Sequence, residues 1–367
     1  MTKISRKKFL MVIRSLKFWS WTENACVRLW EQLIEQWYDV SYFSFYKDDC
    51  IYKHKWQEYC LLRKSKFLFM KVWYSIIWAI KLLKFCKCHN VDFVIAYMWS
   101  GILTSLLSKI FWNKSKVCIY LHRCMGDFPK WITRLLIYFS KRYSKKIIVL
   151  TEYEKNYLLK KFNLDKDFVS VIPNFIDLEH ISTLCLEPIY GNNNYFFDNK
   201  FIFITIGRLE KIKNQELMIN AFKKLNEKYP NISLIILWDW KDKQNLKNIA
   251  NENVYFLWNQ ENVFQFLSQS DCFLLTSESE SFSIAILEAM ACNLPIISTK
   301  TQWPCEILEN GKYWILVCHD EKSLYDAMEK ILTNKKLREY YKHQSKERVK
   351  RYQKNEIIKQ WEKIFNE

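Results

Sequence analysis

The stretch TSESESFSIAILEAMACNLPIIST, residues 276–299, is the most informative in the chain. It follows an apolar, strand-like run and contains the helix-forming segment SIAILEAMA, with Glu280 in the loop before it and Glu288 eight residues later. We expect Ser281 or Ser283 to cap this helix, which puts Glu288 about two turns inside it. Backbone N–H groups between the two glutamates then face a ligand site and suit a phosphate.

The same alternation of apolar runs and amphipathic stretches continues along the whole chain and predicts two parallel α/β domains. Predicted strands in the first half are KFLMVIRSL, DVSYFSFY, DFVIAYM, KVCIYLH, KIIVLT and VSVIPN, and in the second half FIFITIG, SLIIL, VYFL, CFLLTS and LPIIST. Helical stretches at 321–333 and 336–366 finish the chain.

A polar, turn-rich segment, GNNNYFFDNK at 191–200, separates the two sets of strands. We therefore predict an N-terminal Rossmann-like domain at 1–180, a linker at 181–200, a C-terminal Rossmann-like domain at 201–350, and a final helix at 351–367 that packs back toward the N-terminal domain. Two such domains facing each other across a cleft bind ligands at the carboxyl ends of their strands.

Composition is that of an ordinary soluble protein, with half of the 367 residues apolar and about a quarter charged. No apolar run approaches the ~18 residues of a membrane helix. Only five apolar residues separate the basic start of the chain from Arg14, which indicates a first strand rather than a signal peptide. The twelve cysteines lack paired metal spacing, since Cys86 and Cys88 have no second pair, and we expect reduced thiols and no metal.

The net charge of +17 belongs to the N-terminal half. Residues 1–180 hold 31 Lys and Arg against 15 Asp and Glu, whereas the remainder holds 25 against 24. The excess concentrates at 63–87, where lysines alternate with apolar residues at helix-like spacing, and at 141–146. An anionic membrane surface fits this pattern; nucleic acid and a merely solvated basic face are the alternatives.

A second motif places cations after a strand. The segment FITIGRLEKIKN, 203–214, ends a predicted strand at Gly207 and continues with Arg208 and, five residues later, Lys213. Two cations just past a strand end suit the clamping of a diphosphate.

Together, GRLEKIK, ESFSIAILE and EAMACNLP resemble the second domain of glycosyltransferase family 4, retaining enzymes with the GT-B fold. The resemblance continues through PCEILENGKY at 304–313 and the turn VIPNFID at 171–177, which is similar to the family's interdomain N-x-x-D. The first thirty residues from MVIRSL onward look like the family's opening strand, glycine-rich loop and first helix. Nearly the whole chain is covered.

The resemblance implies a role for each matching residue. Glu280 contacts the donor sugar near the reacting carbon, and His122, in YLHRCMGDF, matches a histidine beside the sugar; these are the predicted catalytic residues. The implied donor-binding residues are Arg208 and Lys213 on the diphosphate, the backbone of Phe282, Ser283 and Ile284 on phosphate, and Glu288 on the ribose. Donors of this fold are bound without a dedicated metal, so no cofactor is expected.

Tryptophan stands where the family has glycine. Trp19 and Trp21 fall in the glycine-rich loop, and Trp238 and Trp240 fall at a G-D-G turn; further examples are Trp37, Trp258, Trp303 and Trp314. The chain holds 16 tryptophans and only 5 glycines, whereas a chain of this length usually holds roughly 25 glycines.

Three interpretations compete for these tryptophans. A decayed enzyme loses glycines to many residue types, and real indoles at these turns bring strain and take up ligand space. The third interpretation, which we favour, is that UGA codons read as glycine in some bacterial lineages have been written as tryptophan. Ser281, Ser283 and Asn293 are separate departures from the family pattern and are interpreted as tolerated variants.

These features predict a retaining glycosyltransferase that moves a sugar from a UDP- or GDP-sugar to a lipid-linked or cell-envelope glycan. We expect a cytoplasmic enzyme, peripheral on the inner face of the plasma membrane, whose acceptor is a polyprenyl-diphosphate sugar, with no nucleic-acid partner. The alternatives are a sugar-nucleotide epimerase of the same fold, a basic nucleic-acid-binding protein and a non-catalytic sugar-nucleotide sensor.

Overall fold

The computed structural model describes residues 7–13, 21–36, 38–44, 68–122, 130–189, 200–237, 243–257, 260–280 and 282–367. Two compact units make up the chain: Met1–Pro173 with Ile358–Glu367, and Asn174–Ile357. Each unit contains one six-stranded, all-parallel sheet with helices between successive strands, as the alternating apolar runs predict.

The first unit has strand order β2-β1-β3-β4-β5-β6. Its strands are β1 (Lys8–Ile13), β2 (Asp39–Ser44), β3 (Phe93–Tyr97), β4 (Lys116–Leu121), β5 (Lys146–Val149) and β6 (Val169–Val171). Its helices are α1 (Trp21–Glu35), α2 (Leu68–His89), α3 (Met98–Ile110), α4 (Lys130–Tyr143) and α5 (Glu152–Phe162).

The second unit has strand order β12-β11-β10-β7-β8-β9. Its strands are β7 (Phe201–Ile206), β8 (Ile232–Leu237), β9 (Val254–Leu257), β10 (Cys272–Leu275), β11 (Ile296–Thr299) and β12 (Ile315–Val317). Its helices are α6 (Leu178–Leu184), α7 (Gln215–Lys228), α8 (Lys243–Ile249), α9 (Phe264–Ser268), α10 (Ile284–Ala291), α11 (Gln302–Ile307), α12 (Glu321–Thr333) and α13 (Lys335–Val349). Helix α14 (Lys354–Asn366) begins here and ends in the first unit.

All eleven predicted strands are present as β1 to β11. Strand β12 was not predicted, although its three residues lie within the apolar run WILVC at 314–318. The helical stretch expected at 336–366 is divided into α13 and α14 by a 3₁₀ turn at Lys350–Tyr352.

Alternate residues of the first sheet face two different helix layers. Leu10 and Val12 of β1 lie in one core with buried side chains from α2, α3, α4 and α5. On the opposite face, the Met11 sulfur lies 3.6 Å from the Cys26 thiol of α1. The Phe9 ring packs 4.5 Å from that of Phe365 in α14. Helices α2 to α5 therefore cover one face, and α1 and α14 cover the other.

A glycine lets α3 approach the first strand. A Cβ atom on Gly101 would lie 2.6 Å from the carbonyl oxygen of Val12, closer than side chains come to backbone. Only glycine fits where this helix crosses the end of β1.

The segment VIPNFID, singled out by the sequence, is bonded to the start of α14. Ile176 forms an isolated parallel bridge with Gln353, donating to the Tyr352 carbonyl and accepting from the Lys354 N–H. The Asp177 carboxylate caps α6 through the His180 N–H and accepts a bond from the Lys354 ammonium at 2.8 Å. Hydrogen bonds and one ion pair thus join the segment 171–177 to the start of α14.

Helix α3 ends in a left-handed residue that is a tryptophan. Trp112 has φ +64°, its N–H donates to the Lys109 carbonyl, and the next N–H, of Asn113, donates to Ser108. These are the two bonds of a Schellman motif, whose left-handed position is usually glycine. The Trp112 side chain is 82% exposed, so no packing compensates for the backbone conformation. Asn293 occupies the same position after α10 with φ +58°, a conformation that asparagine tolerates.

Other tryptophans have ordinary positions. Trp314 is buried, donates its indole N–H to the Ser345 hydroxyl at 2.9 Å, and has no left-handed backbone that would require glycine. Trp21, expected in a loop, is instead the first residue of α1. Positions outside the described residues are Trp19, Trp37, Trp238, Trp240 and Trp258, together with the side chain of Trp303.

None of the helices in the described ranges combines the length and the apolar character that crossing a bilayer demands.

Candidate functional site

The order of the second sheet reverses between β7 and β10. These two strands pair directly, with Cys272 beside Phe203, but the chain leaves their carboxyl ends in opposite directions along the sheet. Ligands of open α/β sheets bind at such a switch point, because the loops on either side diverge and leave a crevice. The loop after β7, 207–214, and the loop after β10, 276–283, therefore meet here although about 70 residues separate them in sequence.

Hydrogen bonds join the two loops. The Thr276 hydroxyl lies within bonding distance of the Lys213 and Asn214 carbonyl oxygens, at 3.0 and 2.9 Å. The backbone N–H of Glu278 donates to the Ile212 carbonyl at 2.8 Å. Because these contacts are made by backbone and a buried hydroxyl, the relative positions of the side chains on the two loops are fixed.

The two loops bring together Lys213 and Glu280, which the sequence predicted for one site. The Lys213 ammonium donates to Oε1 of Glu280 at 2.5 Å, and the side chains are only 19% and 7% exposed. The Ser277 hydroxyl donates to the same oxygen at 2.7 Å. Within the described part of the chain Oε2 of Glu280 accepts no hydrogen bond, so one carboxylate oxygen is held and the other is available to a ligand.

Arg208 lies at the start of the loop after β7. Its guanidinium pairs with Glu210 at 2.9 Å, while its Nε–H is out of contact with water and has no acceptor among the described residues. The carbonyl of Arg208 is held by the Gln215 amide at 2.8 Å. Among the described residues, none lies within 4 Å of a Cβ placed on the preceding Gly207, so they leave the space above this strand end open.

Helix α10 begins after Ser283, one of the two predicted cap residues. Ser283 remains extended and is the N-cap residue, but its hydroxyl makes no capping bond, which corrects that expectation; Ser281 lies outside the described residues. Since the first helical residue is Ile284, Glu288 lies just over one turn into the helix rather than two, and its side chain is buried. The Phe282 ring packs edge-on against Tyr352, so its side chain is engaged within the second unit.

His122 belongs to the first unit and directly follows β4. Its ring packs against Tyr120 and Tyr97, with centroids 4.2 and 5.6 Å away. Burial lowers the pKa of His122 to about 3, so the imidazole is neutral near pH 7. Its Nε2 atom is shielded from water and has no hydrogen-bond partner among the described residues.

Two residues of the site were missed by sequence reasoning. Thr276 and Ser277 come directly after β10, and their hydroxyls fix the loop and the Glu280 carboxylate respectively. The available signal was their position, because hydroxyls at the carboxyl end of a switch-point strand point toward the crevice. In the described ranges, no three His, Cys, Asp or Glu side chains converge as metal ligands do.

Comparison with known proteins identifies the family. Residues 22–180 match the family described as Glycosyltransferase Family 4, and residues 191–348 match Glycosyl transferases group 1. An uncharacterised glycosyltransferase of Methanocaldococcus jannaschii is 30% identical, with 98% of each chain covered. The chain is a glycosyltransferase of the group 1/family 4 type. The resemblance seen in the sequence motifs and the expectation of an enzyme are thus confirmed.

Further similarities of the glycosyltransferase concern one relative and two solved structures. A Campylobacter jejuni protein, named N-acetylgalactosamine-N,N′-diacetylbacillosaminyl-diphospho-undecaprenol 4-alpha-N-acetylgalactosaminyltransferase, is 26% identical over 77% of this chain and 78% of its own. A glycosyltransferase structure from Rickettsia africae has a TM-score of 0.82 at 16% identity, covering 98% of both chains. Anabaena HepE, solved with UDP and glucose, has a TM-score of 0.79 at 16% identity, covering 98% of this chain and all of its own. The GT-B fold is confirmed.

Proposed function

We propose that this glycosyltransferase transfers a sugar, with retention of anomeric configuration, from a UDP- or GDP-sugar to a lipid-linked or cell-envelope glycan. The observation that carries the donor side is the Lys213–Glu280 pair at the β7/β10 switch point, beside the open strand end at Gly207. A cation and a carboxylate held 2.5 Å apart suit two adjoining parts of a nucleotide sugar, the cation its diphosphate and the carboxylate its sugar hydroxyls.

Breaking the sugar–phosphate bond leaves negative charge on the departing diphosphate. Lys213 and the Nε–H of Arg208 are the cationic donors we assign to that charge. Glu280 keeps Lys213 in place and presents its second oxygen to the sugar. The backbone N–H groups at Ser283 and Ile284, at the start of α10, add a partial positive charge for the phosphates.

We assign the remaining roles as the family resemblance implies them. Glu288 holds the ribose, and the neutral His122 accepts or donates a hydrogen bond to the sugar through Nε2. Since two cations and a helix N-terminus compensate the phosphate charge, we propose that no metal or other cofactor takes part.

The acceptor side is supported by relatives and by charge. The Campylobacter jejuni relative is named for a diphospho-undecaprenol-linked acceptor, and residues 1–180 of this chain carry the basic excess, 31 Lys and Arg against 15 Asp and Glu. We propose a polyprenyl-diphosphate sugar acceptor and a peripheral position on the inner face of the plasma membrane, with no nucleic-acid partner.

The test is a screen of UDP- and GDP-sugars for release of nucleoside diphosphate, with and without a polyprenyl-diphosphate sugar. The protein used in the screen has four substitutions: Trp19→Gly, Trp21→Gly, Trp238→Gly and Trp240→Gly. We expect one donor to be consumed only with acceptor present, and NMR of the product to show the donor's anomeric configuration. Conversion of the donor to its epimer, or nucleotide binding without consumption, would contradict the proposal.

We also propose that the tryptophans at the family's glycine positions are glycines in the native protein. Trp112 adds support, since it has a left-handed backbone and an exposed indole where a helix-terminating glycine is usual. Reading the sixteen tryptophan codons tests this directly: UGA at these positions supports it, and UGG at all sixteen overturns it. Peptide mass spectrometry of the native protein tests the same assignment independently, because glycine and tryptophan differ greatly in mass.

A further inference from the structure

Three consecutive helices of the first unit contain no acidic residue. Helices α2, α3 and α4 are 22, 13 and 14 residues long, and they include four, one and four Lys or Arg respectively but no Asp or Glu. All three contribute to the same core on one face of the first sheet. Their outer surfaces, which we call the acid-free face, therefore lie on the same side of this unit.

This absence of acids is specific to the three helices. The six other helices of eleven or more residues in the described part of the chain, α1, α5, α7, α12, α13 and α14, each contain two or three Asp or Glu. Helix α1, on the opposite face of the same sheet, has three glutamates and one arginine. Helix α5 covers the same side of the sheet and has two glutamates, so the acid-free face is limited to the outer surfaces of α2, α3 and α4. A generally lysine-rich composition does not remove acids from three consecutive helices alone, so these helices have a charge pattern of their own.

Helix α4 presents cations and apolar groups together. Its exposed residues are Arg134, Leu135, Tyr138, Lys141 and Arg142, a spacing that puts all five on one stripe of the helix. Leu135 and Tyr138 are 47% and 67% exposed, which is high for large apolar side chains lying among three charges.

Helix α2 repeats the arrangement. Ile80 is 51% exposed, and Lys84 and Lys87 are exposed four and seven residues later, on the same side of the helix. The two helices that flank α3 thus have the same outward chemistry, protruding aliphatic groups bordered by ammonium or guanidinium groups.

We infer that the acid-free face is the surface by which this enzyme contacts an anionic bilayer, an inference that rests on the lipid-linked acceptor proposed above. Lysine and arginine meet anionic headgroups, while Ile80, Leu135 and the Tyr138 ring enter the boundary between headgroups and acyl chains. The phosphate backbone of a nucleic acid attracts the same cations, but it offers no apolar region that could bury protruding aliphatic side chains. The bilayer is therefore the partner that uses both parts of the face.

The test is co-sedimentation of the full-length protein with phosphatidylcholine vesicles, with and without phosphatidylglycerol, at physiological salt. The charge variant is Lys84→Glu, Lys87→Glu and Arg134→Glu; Lys141 is left unchanged because its ammonium donates to the Asn163 carbonyl. We expect the protein to bind only the anionic vesicles, and the charge variant to bind them about a hundredfold more weakly.

A matched control reverses three exposed lysines of α13 in the other unit: Lys335→Glu, Lys336→Glu and Lys346→Glu. It changes the net charge by the same amount, and we expect its vesicle binding to fall far less than that of the charge variant. A second variant, Leu135→Ser with Tyr138→Ser, leaves the charge unchanged and should weaken binding about tenfold, because apolar burial at the interface is lost. Thermal melts verify that each variant is folded.

Equal binding to neutral and anionic vesicles, equal losses in the charge variant and its control, or tighter binding to an oligonucleotide than to vesicles would each overturn the inference. Sugar transfer to a water-soluble acceptor is measured in parallel. Transfer without vesicle binding overturns the membrane contact alone, whereas vesicle binding without transfer from any donor overturns the proposed function alone.

Discussion

The two units share one architecture, but the residues that distinguish them lie in different parts of the fold. Both are six-stranded parallel sheets whose strand order reverses once. In the second unit, whose sequence is nearly neutral, the distinctive residues lie in the two loops at the reversal and are bonded to each other. In the first unit, the distinctive features are the exposed cations of α2 and α4 and the lack of acidic residues in α2, α3 and α4. Binding a small donor molecule requires atoms at fixed positions, and the two bonded loops provide them. Contact with an extended surface requires only suitable side chains on one face of the unit.

The largest effect is expected at Glu280. Glu280→Gln keeps the shape of the side chain but removes the charge that pairs with Lys213 and that we assign to the sugar. We expect the kcat for transfer to fall by about a hundredfold to a thousandfold. The control is Glu278→Gln, an exposed glutamate of the same loop, whose kcat should change less than twofold. Equal losses of kcat in the two variants would show that transfer depends on the loop in general and not on the Lys213–Glu280 pair.

In the first unit, His122 should make stability depend on pH. Because burial depresses its folded-state pKa to about 3, its contribution is present above the unfolded pKa of about 6.5 and is lost as pH falls toward 3. Between pH 7 and pH 5 the parent protein should lose about 2 kcal/mol of unfolding free energy that His122→Gln does not lose. Urea titrations at both pH values measure this, with His343→Gln, an exposed histidine of α13, as the control. An identical pH dependence in the parent and in His122→Gln would contradict it.

Ser277 is expected to act through Glu280. Ser277→Ala removes one of the two bonds that fix Oε1, so kcat should fall about tenfold while the KM for the donor changes little. Ser279→Ala, at an exposed serine two residues later, should leave both constants unchanged. A loss confined to KM would mean that Ser277 binds the donor instead of positioning the carboxylate.

The smallest effect concerns Trp112. Trp112→Gly should stabilise the protein by about 1 kcal/mol, since it relieves a left-handed backbone and removes an exposed indole. Trp361→Gly, at a buried ring that packs 5.0 Å from Tyr120, should destabilise it by about 3–5 kcal/mol. Thermal melts of the two variants separate tryptophans that the fold needs from those it only tolerates. Destabilisation by Trp112→Gly would contradict this distinction.

Much of the fold was predictable because long apolar runs mark buried parallel strands, and β1 to β11 all lie in such runs. The pairing of Lys213 with Glu280 was predictable only through the family resemblance, since 67 residues separate them. The position of Ser277 after β10 indicates a hydroxyl near the crevice. Its bond to Glu280 was not predictable, because a serine beside a strand has the same local signature whether or not its hydroxyl meets a carboxylate. The depth of Glu288 in α10 was mispredicted, since propensity does not settle which of two nearby serines precedes the helix.

The most direct test of the donor site is isothermal titration of UDP and of GDP into Lys213→Ala and Lys211→Ala proteins. Both carry Trp238→Gly and Trp240→Gly, so that an indole at the donor turn does not determine the outcome. Lys211 is exposed and shares a 3₁₀ turn with Lys213, but it has no part in the pair with Glu280. We predict that one nucleotide binds, that Lys213→Ala weakens its binding at least about tenfold, and that Lys211→Ala leaves it unchanged. Equal binding by the two variants would contradict the assignment of the site.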